Sequence, residues 1–295
     1  MRLSLALGAA LLLAPCAATA LRSKPSSLGG TLVVMVASKE GLVVAADSRS
    51  SLGDTHCDDA YKIIELDKPA RTVATVTGNG IFASGPGPDV RDICQYLKHS
   101  PRLLDIGQVV KEYVERANVE VANIRIDDLA NSCIEAVERF KAAYPLTIQP
   151  FAGREIFEVV LAGYDSEKKT ATIRSFVIRV LPTTFGFEVI KISRFDYGQQ
   201  STRDYVALGE TDYLNTIVFG GVGRSFISQG TVAFLRDEKK AVSETTLAEA
   251  VAVATNIIDA AARTTAIIPA PSGIGGPVDV VLLGHGDRPQ RLQWK

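Results

Sequence analysis

One threonine near the start of the chain has the type and the setting of a catalytic nucleophile. Thr31 opens an apolar, β-rich run, residues 31–38, directly after Gly30. A threonine hydroxyl attacks only when a base takes its proton, and cleavage before Thr31 would free an α-amine, with an ordinary pKa of about 8, beside it. Gly30 has no Cβ, so the peptide bond to be cut can adopt a strained geometry. Thr31 is therefore a candidate nucleophile, and the alternative is an ordinary strand start.

Two charged residues at strand ends form a candidate ion pair. Asp47 ends a second apolar run and Lys62 begins a third. If these two strands are neighbours, Asp47 and Lys62 can meet, and an ammonium beside Thr31 would lower the pKa of its hydroxyl. The alternative is a structural ion pair, or two solvated strand ends.

A glycine turn is the candidate oxyanion site. Gly78-Asn79-Gly80 follows a strand and precedes a helical region, so the Gly78 N–H is a candidate donor to an oxyanion. A plain turn is the alternative. A second glycine-rich segment, 220–223, lacks the lysine and the strand–loop–helix context of a phosphate loop, and we interpret it as a loop.

Hydrophobic patterns predict the strands that position these residues. Residues 31–38 and 42–47 are almost continuously apolar, which predicts two strands buried on both faces. A three-residue turn, 39–41, joins them, with Gly41 in a positive-φ conformation. A second hairpin is predicted from 62–66 and 72–77.

Beyond residue 80 the period changes to that of helices and then returns to that of strands. Helices are predicted at 90–97, at 109–114 with a continuation towards 124, at 129–144, and at 245–264 with Ser243 as N-cap. Strands are predicted at 156–164, 170–180, 185–195, 205–209 and 278–283. This order favours an α+β fold of one domain, with two antiparallel sheets between helix layers.

Composition narrows the function classes. The net charge is −1, which argues against a nucleic-acid or anionic-membrane partner. Three cysteines follow the N-terminal segment, Cys57, Cys94 and Cys133, so at least one is expected to stay free or to pair between chains. The histidines are scattered and C-x-x-C is absent, so no metal site is predicted.

The N-terminus has the features of a secretory signal. One basic residue, an apolar run at 3–13 and the small-residue site Ala18-Thr19-Ala20 predict a signal peptide over 1–20. A polar segment, 21–30, is predicted to be a propeptide or linker, and 31–295 the folded domain. We expect a secreted or periplasmic (extracytoplasmic) protein that is soluble after signal removal.

Taken together, these motifs resemble the proteasome β-subunit family of N-terminal-nucleophile (Ntn) hydrolases. The resemblance rests on Gly30-Thr31, on the run 39–49 (KEGLVVAADSR), on Lys62-Ile63-Ile64 and on Thr77-Gly78. The spacings also match the family, with ten residues from Thr31 to Gly41 and sixteen from Thr31 to Asp47. The segment 275–281 (GGPVDVV) is similar to the bacterial Anbu-type branch.

The resemblance implies a four-layer αββα sandwich and threonine peptidase chemistry without a cofactor. Thr31 would be the nucleophile and, through its amine, the base. Lys62 would tune it, Asp47 would orient Lys62, and the Gly78 N–H would stabilise the oxyanion. Arg49 is interpreted as structural. Rings or other homo-oligomers are expected.

The sequence departs from the family at two supporting positions. Gly209 is followed by Glu210-Thr211 where the family has Ser-Gly, and the Asp-x-x-Ser-Gly before the last strand is reduced to Ser272-Gly273. Two hypotheses follow: a secreted threonine hydrolase that cleaves peptide or other amide bonds, and a non-catalytic assembly or scaffold subunit. Retention of the threonine, the aspartate and the lysine favours the first.

Overall fold

The computed structural model describes residues 31–52, 55–58, 60, 62–83, 103–237, 239–268, 273–284, 286 and 288–292. The predicted signal peptide, the predicted linker 21–30, the predicted helix at 90–97 and Cys94 lie outside these residues. The strands are β1 Leu32–Ser38, β2 Gly41–Asp47, β3 Ser50–Leu52, β4 Thr55–Cys57, β5 Ile63–Glu65, β6 Thr72–Gly78, β7 Ile81–Ala83, β8 Leu103–Asp105, β9 Glu155–Asp165, β10 Thr170–Val180, β11 Phe187–Tyr197, β12 Tyr205–Gly209, β13 Val278–Leu283 and β14 Gln290–Leu292.

Helices lie between these strands in sequence. The longer ones are α1 Ile106–Ala117, α2 Ile126–Ala143, α3 Gln229–Arg236 and α4 Leu247–Thr265. Shorter helical segments are Val121–Asn123, Pro145–Thr147, Gln149–Phe151, Thr211–Tyr213, the π-helix Leu214–Phe219, Val222–Phe226 and Val242–Glu244.

Two five-stranded antiparallel sheets form the centre of the fold. The first has the order β12-β1-β2-β13-β14, and the second has the order β11-β10-β9-β6-β5. Every residue of β1 and β2 is buried, as their continuous apolar runs predict. Both predicted hairpins are present in the structure.

Three apolar cores show why the sheets stack between helices. One core lies between the sheets, where Met35 and Val44 of the first sheet meet Val160 and Ile173 of the second. A second core packs the other face of the first sheet against α4, and a third packs the second sheet against α1 and α2. The predicted four-layer αββα arrangement of an α+β fold is confirmed.

The turn between β1 and β2 differs from its prediction. It contains two residues, Lys39 and Glu40, and Gly41 already belongs to β2 without a positive φ. A Cβ atom on Gly41 would lie 2.1 Å from the carbonyl oxygen of Leu283 in β13. Glycine is therefore required by the close approach of two backbones.

The start of α4 also differs. Ser243 lies in the short helical turn Val242–Glu244, so its predicted role as N-cap is wrong. Thr246 is the cap, and its hydroxyl accepts the Glu249 N–H at 3.2 Å. Two residues of these types precede the apolar run, and only the path of the chain decides between them.

The segment 220–223 connects two short helices. Gly220 and Gly221 form a bend after the π-helix Leu214–Phe219, and Val222 begins the 3-10 helix Val222–Phe226. A Cβ atom on Gly223 would lie 2.4 Å from the Thr264 hydroxyl oxygen and 2.6 Å from the Val218 Cα. Its glycine lets this segment pack directly on α4.

The helical insert before β9 is shorter in its first helix than predicted. α1 ends at Ala117, because the next residue, Asn118, has a left-handed backbone conformation, and 121–123 forms a separate 3-10 turn. In α2, Cys133 is buried and free, and burial raises the pKa of its thiol to about 12. Cys57 is disulfide-bonded.

Within the part of the chain that the structure describes, no helix has the length and apolarity that crossing a membrane requires.

Replacing Gly41 with alanine tests the close approach of β2 to β13. Gly41→Ala is expected to lower the free energy of unfolding by roughly 1–3 kcal/mol, because the methyl group would overlap a fixed carbonyl group. Gly230→Ala on α3 is the control, since a Cβ there meets nothing closer than 4.0 Å. The control should change stability by less than about 1 kcal/mol. Equal urea midpoints for Gly41→Ala and wild type would contradict the packing argument.

Candidate functional site

Asp47 is the centre of a buried set of hydrogen bonds. Its Oδ1 atom accepts the Leu32 N–H at 2.9 Å, and its Oδ2 atom accepts the Gly275 N–H at 3.2 Å. The Lys62 Nζ atom lies 3.1 Å from both carboxylate oxygens. Asp47 has no exposed surface, and the Lys62 side chain is 7% exposed. The ion pair therefore combines charge with the donors that a buried carboxylate needs.

This pair joins the two sheets. Asp47 ends β2 in the first sheet, whereas Lys62 directly precedes β5, the edge strand of the second. The two strands are not hydrogen-bonded side by side in one sheet, because β1 and β13 flank β2. The contact itself is present, and it crosses the layer between the sheets.

Burial changes the acid–base properties of both partners. It raises the pKa of Asp47 and lowers the pKa of Lys62, and the charge of each partner offsets part of the effect on the other. The Leu32 and Gly275 N–H groups further favour the charged carboxylate. A lysine with a lowered pKa exchanges its proton more readily near neutral pH, which suits a role in proton transfer.

Thr31 lies beside this pair. It is 5% exposed and precedes β1, and the next residue along the chain donates to Asp47. The Thr31 carbonyl oxygen accepts the Glu210 N–H at 3.3 Å. A Cβ atom on Gly209 would lie 1.9 Å from that same oxygen, so β12 ends directly against Thr31. The structure thus brings Thr31, Asp47 and Lys62 to one end of the sandwich.

Gly78 ends β6 in the second sheet, at a position that requires glycine. Its φ is +76°, and a Cβ atom would lie 2.8 Å from the Ile156 carbonyl oxygen. The preceding residue, Thr77, has its Cβ 3.3 Å from where a Gly209 Cβ would stand. Gly78 therefore lies close to the end of β12, where Gly209 contacts the Thr31 carbonyl oxygen. Its role as oxyanion donor stays a prediction.

A C-terminal loop completes the site, and sequence reasoning did not assign it this role. Gly275 donates to Asp47 and accepts the Arg49 N–H at 3.0 Å. The Arg49 guanidinium binds Asp58 at 2.7 and 3.0 Å, and it packs against Gly275, where a Cβ atom would lie 2.5 Å from its Cζ atom. Arg49 thus has a structural position, as expected. The signal for the loop was the run 275–281, which was noted only as a similarity.

The described site combines the hydroxyl-bearing Thr31 with a carboxylate that binds one ammonium and two backbone N–H groups. Among the described residues, no group of three histidine, cysteine or acidic side chains is arranged to hold a metal ion. The chemistry that these groups suit is nucleophilic attack with proton transfer.

Comparisons with known proteins found similar proteins only among solved structures. No family model matches the chain, and no curated protein matches it. A solved structure of Anbu, named an ancestral β-subunit, from Yersinia bercovieri is 17% identical, with a TM-score of 0.44, over 90% of this chain and 87% of that one. A mutant Anbu from Hyphomicrobium sp. strain MC1 is 15% identical, with a TM-score of 0.40, over 90% and 87%.

Removing the lysine tests the ion pair. Lys62→Met is expected to cost roughly 3–5 kcal/mol of stability, because Asp47 is left buried without its cation. The pKa of Asp47 is raised in the folded state, and more so without Lys62, so its unfavourable charge develops as pH rises through that pKa. The deficit should therefore be larger at pH 8 than at pH 5, measured by denaturant unfolding.

An exposed pair provides the control. Arg263 binds Asp259 at 3.0 Å on the surface of α4, and Arg263→Met should cost about 0–1 kcal/mol. Adding Asp47→Asn to Lys62→Met should recover part of the lost stability, because the buried charge is then gone. A Lys62→Met deficit as small as the control's, or one independent of pH, would contradict the assignment.

Proposed function

We propose that the chain is a threonine hydrolase of the proteasome β-subunit type, which cleaves peptide or other amide bonds after cleavage before Thr31 frees its amine. The observation that carries the proposal is the Asp47 carboxylate, which binds both the N–H of the residue after Thr31 and the Lys62 ammonium. Because Thr31 directly precedes the residue held in this way, this contact supports a role for its hydroxyl near the buried cation.

The proposed chemistry follows the activated-nucleophile scheme. The Thr31 hydroxyl attacks the substrate carbonyl, and the free α-amine of Thr31 takes the hydroxyl proton. The Lys62 ammonium stabilises the developing alkoxide of Thr31, and Asp47 orients that ammonium. The Gly78 N–H donates to the oxyanion that forms on the substrate carbonyl. The leaving amine takes the proton, and water then hydrolyses the threonine ester. No cofactor enters the scheme.

A second candidate is a non-catalytic assembly or scaffold subunit. It is favoured by Glu210 and Thr211, which follow Gly209 where the resembling family has Ser-Gly. Glu210 contributes its backbone N–H to the Thr31 carbonyl, so this segment supports the strand start through its backbone. Both candidates include a homo-oligomer. An oligomer by light scattering without hydrolysis, in a correctly processed protein, would favour the scaffold.

We further propose that the protein is exported to an extracytoplasmic compartment, because residues 1–20 have the pattern of a secretory signal. Its substrates there would be exposed peptides or small amides. Cytoplasmic retention of the full-length chain in a fractionation experiment would contradict export.

Thr31→Ala tests the nucleophile. It is expected to abolish hydrolysis of a peptide-amide substrate while keeping the fold, since it removes few atoms beside a core truncation of roughly 2–5 kcal/mol. A peptide epoxyketone, which requires both the hydroxyl and the free amine, should label the wild type at Thr31. Thr31→Ser keeps the hydroxyl and should retain labelling. Labelling or turnover that persists in Thr31→Ala would point to another nucleophile.

Processing is tested on the purified mature protein. We expect two cleavages, after Ala20 and then before Thr31, so intact-mass analysis and N-terminal sequencing should find Thr31 first. A chain that begins at Leu21 and never loses the segment 21–30 would leave Thr31 without its amine. That result would eliminate the hydrolase proposal.

A further inference from the structure

A group of polar side chains, here called the polar pocket, lies between the two sheets beside their apolar core. Its members are Thr75 of β6, Glu158 of β9 and Ser175 of β10. In the second sheet Thr75 and Ser175 both pair with Val160, one from each side, and Val160 faces the inter-sheet core. Glu158 lies two residues before Val160 on β9, so it projects from the same face.

Three oxygen atoms of this pocket make no hydrogen bond of ordinary geometry to the residues that the structure describes. They are the hydroxyl oxygens of Thr75 and Ser175 and the buried Oε1 atom of Glu158. Thr75 is 0% exposed and Ser175 is 1% exposed. Buried polar atoms in native proteins are almost always satisfied by protein or by ordered water. A small polar ligand would satisfy these three oxygens.

The pocket adjoins the segment that supports Thr31. Glu158 pairs with Thr77, whose Cβ lies 3.3 Å from where a Gly209 Cβ would stand, and Gly209 rests against the Thr31 carbonyl. Burial raises the pKa of Glu158, whereas the Ser175 hydroxyl and the Gly209 N–H lie near enough to lower it in part. A line of contacts thus runs from the pocket through β12 to Thr31.

Water is the ligand that fits these groups. The pocket offers one carboxyl group and two hydroxyls, each of which can both donate and accept when the carboxyl is protonated. A divalent cation would need more carboxylate oxygens than one side chain supplies. The other charged groups near the carboxyl are Lys191, on β11, and Glu155, on its own strand. A neutral ligand adds no uncompensated charge between the sheets.

We propose that Glu158 is a positioning residue, which with Thr75 and Ser175 binds ordered water between the sheets and thereby fixes Gly209 against Thr31. Its effect on catalysis rests on the proposed hydrolase function, but its effect on the β12 end does not. Glu158 acts through the backbone of Gly209 and does not touch the substrate.

The experiment compares Glu158→Leu, which removes the polar group, with Glu158→Gln, which keeps hydrogen bonding at the same length. Glu155→Leu is the matched control, because Glu155 is exposed on the same strand. Hydrogen exchange of the segment 205–211 is measured by mass spectrometry in each folded protein. Where the wild type is active, kcat and KM for a peptide amide are measured as well.

In Glu158→Leu we expect exchange at the Gly209 and Glu210 amides to increase about tenfold, and kcat to fall about tenfold or more with KM unchanged. Glu158→Gln should stay within about threefold of wild type in both measurements. The melting temperature of Glu158→Leu should change little, because an apolar side chain replaces a carboxyl group whose burial is costly. If Glu158→Leu does not fold, the pair Thr75→Val and Ser175→Ala provides the same test with smaller changes.

Exchange in Glu158→Leu equal to that in Glu155→Leu would overturn the proposal, and so would faster exchange with wild-type kcat in an active enzyme. An inactive wild type whose Glu158→Leu variant still shows the exchange change would reject the hydrolase function alone. A crystal structure of the mature protein should show water hydrogen-bonded to Glu158 and to one of the two hydroxyls. A dry pocket or a metal ion there would overturn the water assignment.

Discussion

The ion pair between Lys62 and Asp47 is the contact on which the arrangement of the site depends. It crosses from one sheet to the other, and it is almost wholly removed from solvent. Moving two charges out of water is costly, so the pair persists only where further donors complete it. The Leu32 and Gly275 N–H groups are those donors. One carboxylate therefore ties together the start of β1, the loop before β13 and the segment that enters β5.

Close backbone approach is the second constraint around this pair. β13 packs closely against Gly41, the Thr31 carbonyl against Gly209, and the Arg49 guanidinium against Gly275. A Cβ atom on any of these glycines would lie within 3 Å of the group packed against it. Gly41 is the first residue of β2, and the other two glycines lie beside the start of β1 and the end of β2. All residues of these two strands are buried. Backbone amides can consequently act as ligands for Asp47, where side chains would have kept the strands and loops apart. The rigidity of the strand start thus comes from backbone packing as much as from charge.

Thr31 is supported from two directions. On one side the ion pair holds the next residue along the chain, and on the other the end of β12 presses Gly209 and the Glu210 N–H against its carbonyl. The family that this sequence resembles has a serine at the position of Glu210. Here the Glu210 backbone N–H supports Thr31 instead. Behind β12, Glu158 and the two buried hydroxyls form a polar cluster beside the apolar core between the sheets. A polar group retained at such a position is costly, which fits a local function better than general stability.

The sequence by itself determined the elements whose signals are local. Apolar runs predicted β1 and β2, and the change of period predicted α1, α2 and α4. The resemblance carried by the motifs around Thr31 predicted the threonine, the aspartate and the lysine as one set. Only the tertiary structure decided that Asp47 and Lys62 belong to opposite sheets, that Gly41 is needed for packing, that Thr246 rather than Ser243 caps α4, and that Gly275 and Glu158 belong near the site. Local patterns reflect which face of an element is buried. Strand order and backbone approach depend on residues up to 228 positions apart, as between Asp47 and Gly275, and no short window of sequence contains both partners.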